Sequence, residues 1–181
     1  MPANPISGPD LVRELRKGGH VLYIRHTSTD FGQNDENMTS FEDCATQRNL
    51  TDKGREEARA IAAAIKRLGV PIGTVLASPF CRTVETALLV FGKAEKSDAV
   101  RGGLARAGDE TRYAPLRKLL STKVDEGTNL VISSHGNPFR AVAGPPHLEE
   151  GELAVIQPLG DDKFGILARL RVSDWRTLPD R

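Results

Sequence analysis

At 181 residues and 19.7 kDa, with 39% hydrophobic and 27% charged residues, the chain has the length and composition of one globular domain spanning 1–181. A net charge of +1 provides no broad field for nucleic acid or anionic lipid, so any anion recognition has to be local. No run approaches the ~18 apolar residues of a membrane span. The opening "MPANPISGPDLVRELRKGGH" also lacks the basic start and apolar centre of a leader. The cytoplasm is therefore the expected compartment, with a periplasmic or secreted state as the alternative if a leader has been removed.

In chain order, "GPDLVRELRKGG" (8–19) predicts a short helix stopped by glycine, and "HVLYIR" (20–25) a buried strand. Residues 27–49 are polar with scattered apolar positions, and a segment this long without structure of its own is more often functional than idle. "LTDKGREEARAIAAAIKRLGV" (50–70) opens on Thr51, a residue that caps helices, repeats apolar residues at helical spacing and ends at Gly69. Its carboxylates read as a solvated face supported by neighbouring arginines. "IGTVLASP" (72–79) is a second buried strand, and "FCRTVETALLVFG" (80–92) a helix opening just after Pro79. A loop-rich piece runs to "GDETRY" (108–113), followed by a helix in "APLRKLLST" (114–122). "TNLVISSHGN" (128–137) is a third strand with a polar end, "PFRAVAG" (138–144) a short helix at most, and "GPP" (144–146) a rigid turn. "ELAVIQPL" (152–159) and "FGILARLRV" (164–172) form a hairpin across "GDDK", and Trp175 anchors the tail. His20 and His147 fit no motif and read as surface residues.

Strands alternating with helices predict an α/β three-layer sandwich, with a mainly parallel central sheet, helices on both faces and a C-terminal antiparallel hairpin. Ligands of such sheets bind beyond the carboxyl ends of the strands. Three strands end there in polar or charged residues, "IRHT", "LASPFCR" and "ISSHGN", so Arg25, His26, Arg82 and His135 can share one rim. Two permanently charged guanidiniums around two imidazoles suit a phosphate-sized dianion. A neutral imidazole attacks phosphorus when its other nitrogen is held protonated by an acceptor such as a backbone carbonyl near Thr27 or Gly136. The arginines and a protonated His135 would then neutralise the transferred group.

The ordered set "YIRHT", "NLTDKGREEARAIA", "VLASPFCRTVETA" and "VISSHGN" resembles the histidine phosphatase superfamily, the phosphoglycerate-mutase-like fold, over roughly residues 20–143. On that resemblance His26 would become phosphohistidine, Arg25, Arg82 and His135 would form the phosphate pocket, and no metal or other cofactor is needed. Two departures stand out. The family pattern has glycine after the histidine, where this chain has Thr27, whose hydroxyl would add a contact to the phosphate. The longer mutase pattern and its substrate insertions are missing, which favours a phosphatase over a mutase. Arg48 or Gln33 of the 27–49 segment would supply a further contact.

The proton donor to the leaving group is open between Glu110, with Asp109 beside it, Glu152, with Glu150 beside it, and no dedicated acid at all. A member without the acid would favour phosphoramidates or activated esters. The expected substrate is a phosphorylated small molecule or a phosphoprotein, with no nucleic-acid or membrane partner and an unresolved oligomeric state. The alternative to an enzyme is a regulatory phosphate-binding module. Cys44 and Cys81 have no metal spacing and read as buried free thiols, a disulfide in an oxidising compartment being the alternative.

Overall fold

Val21–Arg25 (β1) is apolar on both pleat faces because it crosses the middle of a sheet that is covered on both sides. The structure, a computed structural model, describes residues 5–102 and 111–180. The other strands are β2 (Val75–Ala77), β3 (Glu95–Lys96), β4 (Leu130–Ser134), β5 (Leu153–Gly160) and β6 (Lys163–Leu170). Their order is β3-β2-β4-β1-β5-β6, with the first four parallel, β5 antiparallel to β1 and β6 antiparallel to β5. Helices α1 (Gly8–Lys17), α2 (Asp52–Leu68) and α3 (Cys81–Phe91) cover one face, and α4 (Ala114–Ser121) and α5 (Gly136–Ala143) the other. Leu22 and Ile24 accordingly pack with Leu15, Ile61 and Leu68, while Val21 and Tyr23 pack with Leu116, Leu120 and Phe139. This is the three-layer α/β architecture expected from the sequence. Among the described residues no helix is long and apolar enough to cross a membrane.

Local chemistry explains the boundaries. Thr51 Oγ1 accepts the Gly54 amide at 3.0 Å to start α2, and Gly69, at φ 65°, closes it in the left-handed conformation. Any Cβ at Gly54 would overlap the Ser28 carbonyl, so the first turn of α2 lies directly on the backbone that follows β1. Glu57 accepts from both the amide and the hydroxyl of Ser28 at 3.0 Å, so this carboxylate binds the segment after β1 instead of belonging to a solvated face. The hairpin turns through Asp161 and Asp162, both at positive φ, as a two-residue type I′ connection requires. Trp175 is buried in the α1–α2–α3 layer, as expected of an anchor.

Four further expectations are revised. β3 has only two residues, both exposed and charged, and no apolar pattern announces it. α5 begins two residues earlier than expected, directly after His135, because Pro138 fits a first helical turn whose amides need no intrahelical acceptor. His20 is buried, with its ring 3.2 Å from Glu14 and its amide donating to Asn129 Oδ1. Cys44 and Cys81 are joined in a disulfide with their Cα atoms 5.8 Å apart, which fastens the 27–49 segment to the first residue of α3.

Candidate active site

The pairing of β1 with β4 matches Arg25 with Ser134, so the residues that follow, His26 and His135, leave the sheet side by side. The His26 amide extends this ladder by donating to the Ser134 carbonyl at 3.0 Å, and the Arg25 amide donates to the Glu152 carbonyl. On the other side of β4, the Ser78 amide donates to the Ser133 carbonyl and brings the end of β2, and with it α3, to the same rim. The two imidazole rings lie 5.7 Å apart at a steep angle.

His26 is 1% exposed, and its Nδ1 lies 3.0 Å from the Thr27 carbonyl. A carbonyl can only accept, so Nδ1 carries the proton and Nε2 the lone pair. Burial pushes the pKa of this imidazole down to about 3, against the opposing Thr27 bond, and Arg82, Arg25 and Arg48 push it in the same direction. It is therefore a neutral base with one free nitrogen. Behind it Glu150 Oε2 lies 3.5 Å from Nδ1 and accepts the Thr29 hydroxyl at 2.6 Å. His135 is held by Ser78 Oγ at 2.8 Å from Nε2, by the edge of Phe80, and by Tyr23, whose hydroxyl donates to the His135 carbonyl at 2.7 Å. Burial first, then Arg82 and His26, lower its pKa well below the usual range, so the protonated state expected from the sequence is not the resting state.

The cations come from three places. Arg25 ends β1 and donates from Nη1 to the Leu148 carbonyl at 2.6 Å. Arg82, in the first turn of α3, lies over the Phe80 ring at 4.6 Å and forms a two-pronged pair with Asp35. Arg48 arrives from the 27–49 segment, its guanidinium 5.3 Å from the centre of the exposed Phe31 ring. All three line one cavity of about 240 Å³ together with His26, His135 and Asp35. The buried Nε of each arginine has no hydrogen-bond partner among the described residues. The start of α5, at Gly136 and Asn137, adds the positive end of a helix to the same wall.

Arg25, His26, Arg82, His135 and Arg48 are thus brought together, but the other expected residues are not. Thr27 does not line the cavity; its amide donates to Thr86 Oγ1, and its contribution is the carbonyl that orients His26. Gln33 accepts the Asn49 amide and lies outside the site cavity. Glu152 lies outside it too, accepting from Arg169 Nε at 2.7 Å and from the Glu149 amide at 2.7 Å. Burial pushes the Glu152 carboxyl up, but Arg169 and that amide outweigh it and hold the pKa below the usual range, so Glu152 stays ionised and is no proton donor here. Glu110 and Asp109 lie outside the described residues. The sequence reading missed Asp35, Asn137 and His147. His147 is no surface bystander: its ring lines the cavity, sits 3.0 Å from Asn137 Oδ1, and occupies the space a side chain at Gly136 would need. The "SHGN" motif contained the signal for Asn137, whereas nothing local marks Asp35 or His147.

Residues 21–105 match the family described as the Histidine phosphatase superfamily (branch 1). No curated protein matches the chain. Among solved structures, the protein histidine phosphatase SixA complexed with tungstate superposes with a TM-score of 0.60 at 22% identity, over 85% of this chain and 97% of that one. A mycobacterial glucosyl-3-phosphoglycerate phosphatase gives 0.58 at 14% identity, over 82% and 96%. TTHB049 from Thermus thermophilus gives 0.57 at 17% identity, over 84% and 99%.

Proposed function

We propose, from the premise that this chain has the fold of the histidine phosphatase superfamily, that it hydrolyses a phosphomonoester or phosphoramidate through a phosphohistidine on His26. The observation that carries the reading is a buried neutral imidazole, its Nδ1 committed to the Thr27 carbonyl, in a cavity lined by three guanidiniums. Nε2 attacks phosphorus while Arg25, Arg48 and Arg82 hold the equatorial oxygens, and the bond to the leaving oxygen or nitrogen breaks as that atom takes a proton. Water then attacks the phosphohistidine, gives up a proton, and releases inorganic phosphate with Nε2 restored. A dianion beside His135 raises its pKa from the lowered resting value, and a proton taken up there would supply a further donor to the phosphoryl oxygens. With Glu152 held ionised, the leaving-group acid is either Glu110 or no dedicated residue, the second case favouring phosphoramidates and activated esters.

A cavity of about 240 Å³ admits a phosphoryl group and leaves the rest of the substrate outside, which suits either a small phosphorylated molecule or a phosphoprotein. That SixA is a protein histidine phosphatase solved with tungstate, a tetrahedral oxyanion, supports this reading of the same fold. The Cys44–Cys81 disulfide supports an oxidising compartment over the cytoplasm.

Hydrolysis of an aryl phosphate in the presence of a chelator is the test. The wild type should turn over and His26→Ala should lose orders of magnitude, with acid-labile label trapped on His26 of the wild type alone. Equal turnover by both proteins would remove His26 from the mechanism, and phosphate binding without turnover would favour the binding-module reading.

A further inference from the structure

Arg82, the guanidinium expected to meet a phosphoryl group, already holds an anion. Asp35 is the one carboxylate among the described residues lining the cavity. Its Oδ1 and Oδ2 accept from Arg82 Nη1 and Nη2, each at 3.0 Å, and Oδ1 also accepts the Arg48 amide at 2.9 Å. This parallel fork is the geometry in which arginine also binds phosphate, so the two anions compete for the same pair of nitrogens. Asp35 is built into its place. Its carbonyl accepts the Met38 amide at 3.1 Å, Gln47 Oε1 accepts the Cys81 amide at 2.9 Å, and the Cys44–Cys81 bridge ties the segment to the residue before Arg82.

We propose that Asp35 is a resident counter-ion of Arg82 that a phosphoryl group has to displace, which makes it both a selector for dianions and a competitor of product phosphate. The proposal rests on the phosphoryl-site reading above. Without ligand, Asp35 supplies the counter-charge that the buried Arg82 needs. A monoanion arriving from solution exchanges one unit charge for another and loses to a partner tethered in the same chain. A dianion gains the attraction of Arg25 and Arg48 in addition, which scales with its charge. When hydrolysis ends, the returning carboxylate restores the pair and weakens the hold on inorganic phosphate.

Asp35→Asn keeps the side-chain shape and removes the charge. Calorimetric titration with inorganic phosphate, at a pH where it is a dianion, should give binding about tenfold tighter or better in the variant. The variant should also melt lower than wild type without phosphate and recover more on its addition. A variant that binds phosphate equally well, or more weakly, would show that Asp35 only supports or orients Arg82, and the proposal would fall while the phosphoryl site stood. If neither protein binds phosphate, the site reading falls and takes the proposal with it. Should the variant not fold, the wild type decides: saturating phosphate should speed hydrogen exchange at the Arg48 amide, because its acceptor moves away. Slower exchange there would overturn the idea.

Discussion

At the residue scale, a single hydrogen bond from Nδ1 to the Thr27 carbonyl decides which nitrogen of His26 can act. Because the resting site keeps His135 neutral, a bound dianion raises its pKa and draws a proton toward it, while His26 stays neutral to attack. Calorimetry of phosphate binding at a pH where phosphate is already the dianion, in buffers of different ionisation enthalpy, should therefore show proton uptake; net release would contradict a neutral resting His135. Arg48→Ala removes one of three donors and should lower kcat/KM for an aryl phosphate by about 10²-fold, in line with the loss of one charge-stabilising group. Glu152→Gln should instead act on stability, weakening the pair with Arg169 by about 1–3 kcal/mol while turnover changes little. Comparing its denaturant midpoint with its kcat separates the two. Arg25, His26 and His135 were legible because each sits at a strand end inside a local motif, and Arg82 because its motif runs from β2 into the first turn of α3. Glu152 was read as a possible proton donor, but it stands just before β5 and its side chain pairs with Arg169 on β6, a relation between distant residues that no local pattern records. Asp35 was one carboxylate among many in a polar stretch, selected only by the distant Arg82.

At the scale of elements, the 27–49 segment is a folded part of the site. Phe41 meets Phe80 at 5.2 Å, Gln47 caps the start of α3, and the disulfide closes a 37-residue span. Closing a loop of this size is worth about 3–4.7 kcal/mol through the unfolded chain. Replacing Cys44 and Cys81 by serine should lower the unfolding free energy by that order in a denaturant titration, and reductant should do the same to the wild type but nothing to the variant. Helices with caps and steady apolar spacing, α2 above all, were readable in advance. β3 was not, since two charged residues paired along the edge of β2 owe their conformation to the neighbouring strand alone.

At the scale of the whole molecule, the buried histidines tie stability to acidity. His20, His26 and His135 all have pKa values lowered in the folded state, by burial above all. The unfolded chain, with imidazoles near 6.5, then binds more protons than the folded one as the pH falls from about 6.5 toward 3. Stability is complete above about 6.5 and declines on acidification, His26 alone contributing on the order of a few kcal/mol across that window. Denaturant midpoints measured from neutral to acid pH should fall accordingly, and His26→Asn should flatten the slope; a profile indifferent to pH would contradict the buried neutral histidines. The sheet order has a consequence for synthesis. β1 is made early, yet both of its neighbours, β4 and β5, come from Leu130 onward. Until they leave the ribosome, "VLYIR" is an apolar ribbon with two open edges, the kind of surface that seeds aggregation. Translation products cut short before Leu130 would thus be sticky, because β1 then has neither neighbour to pair with.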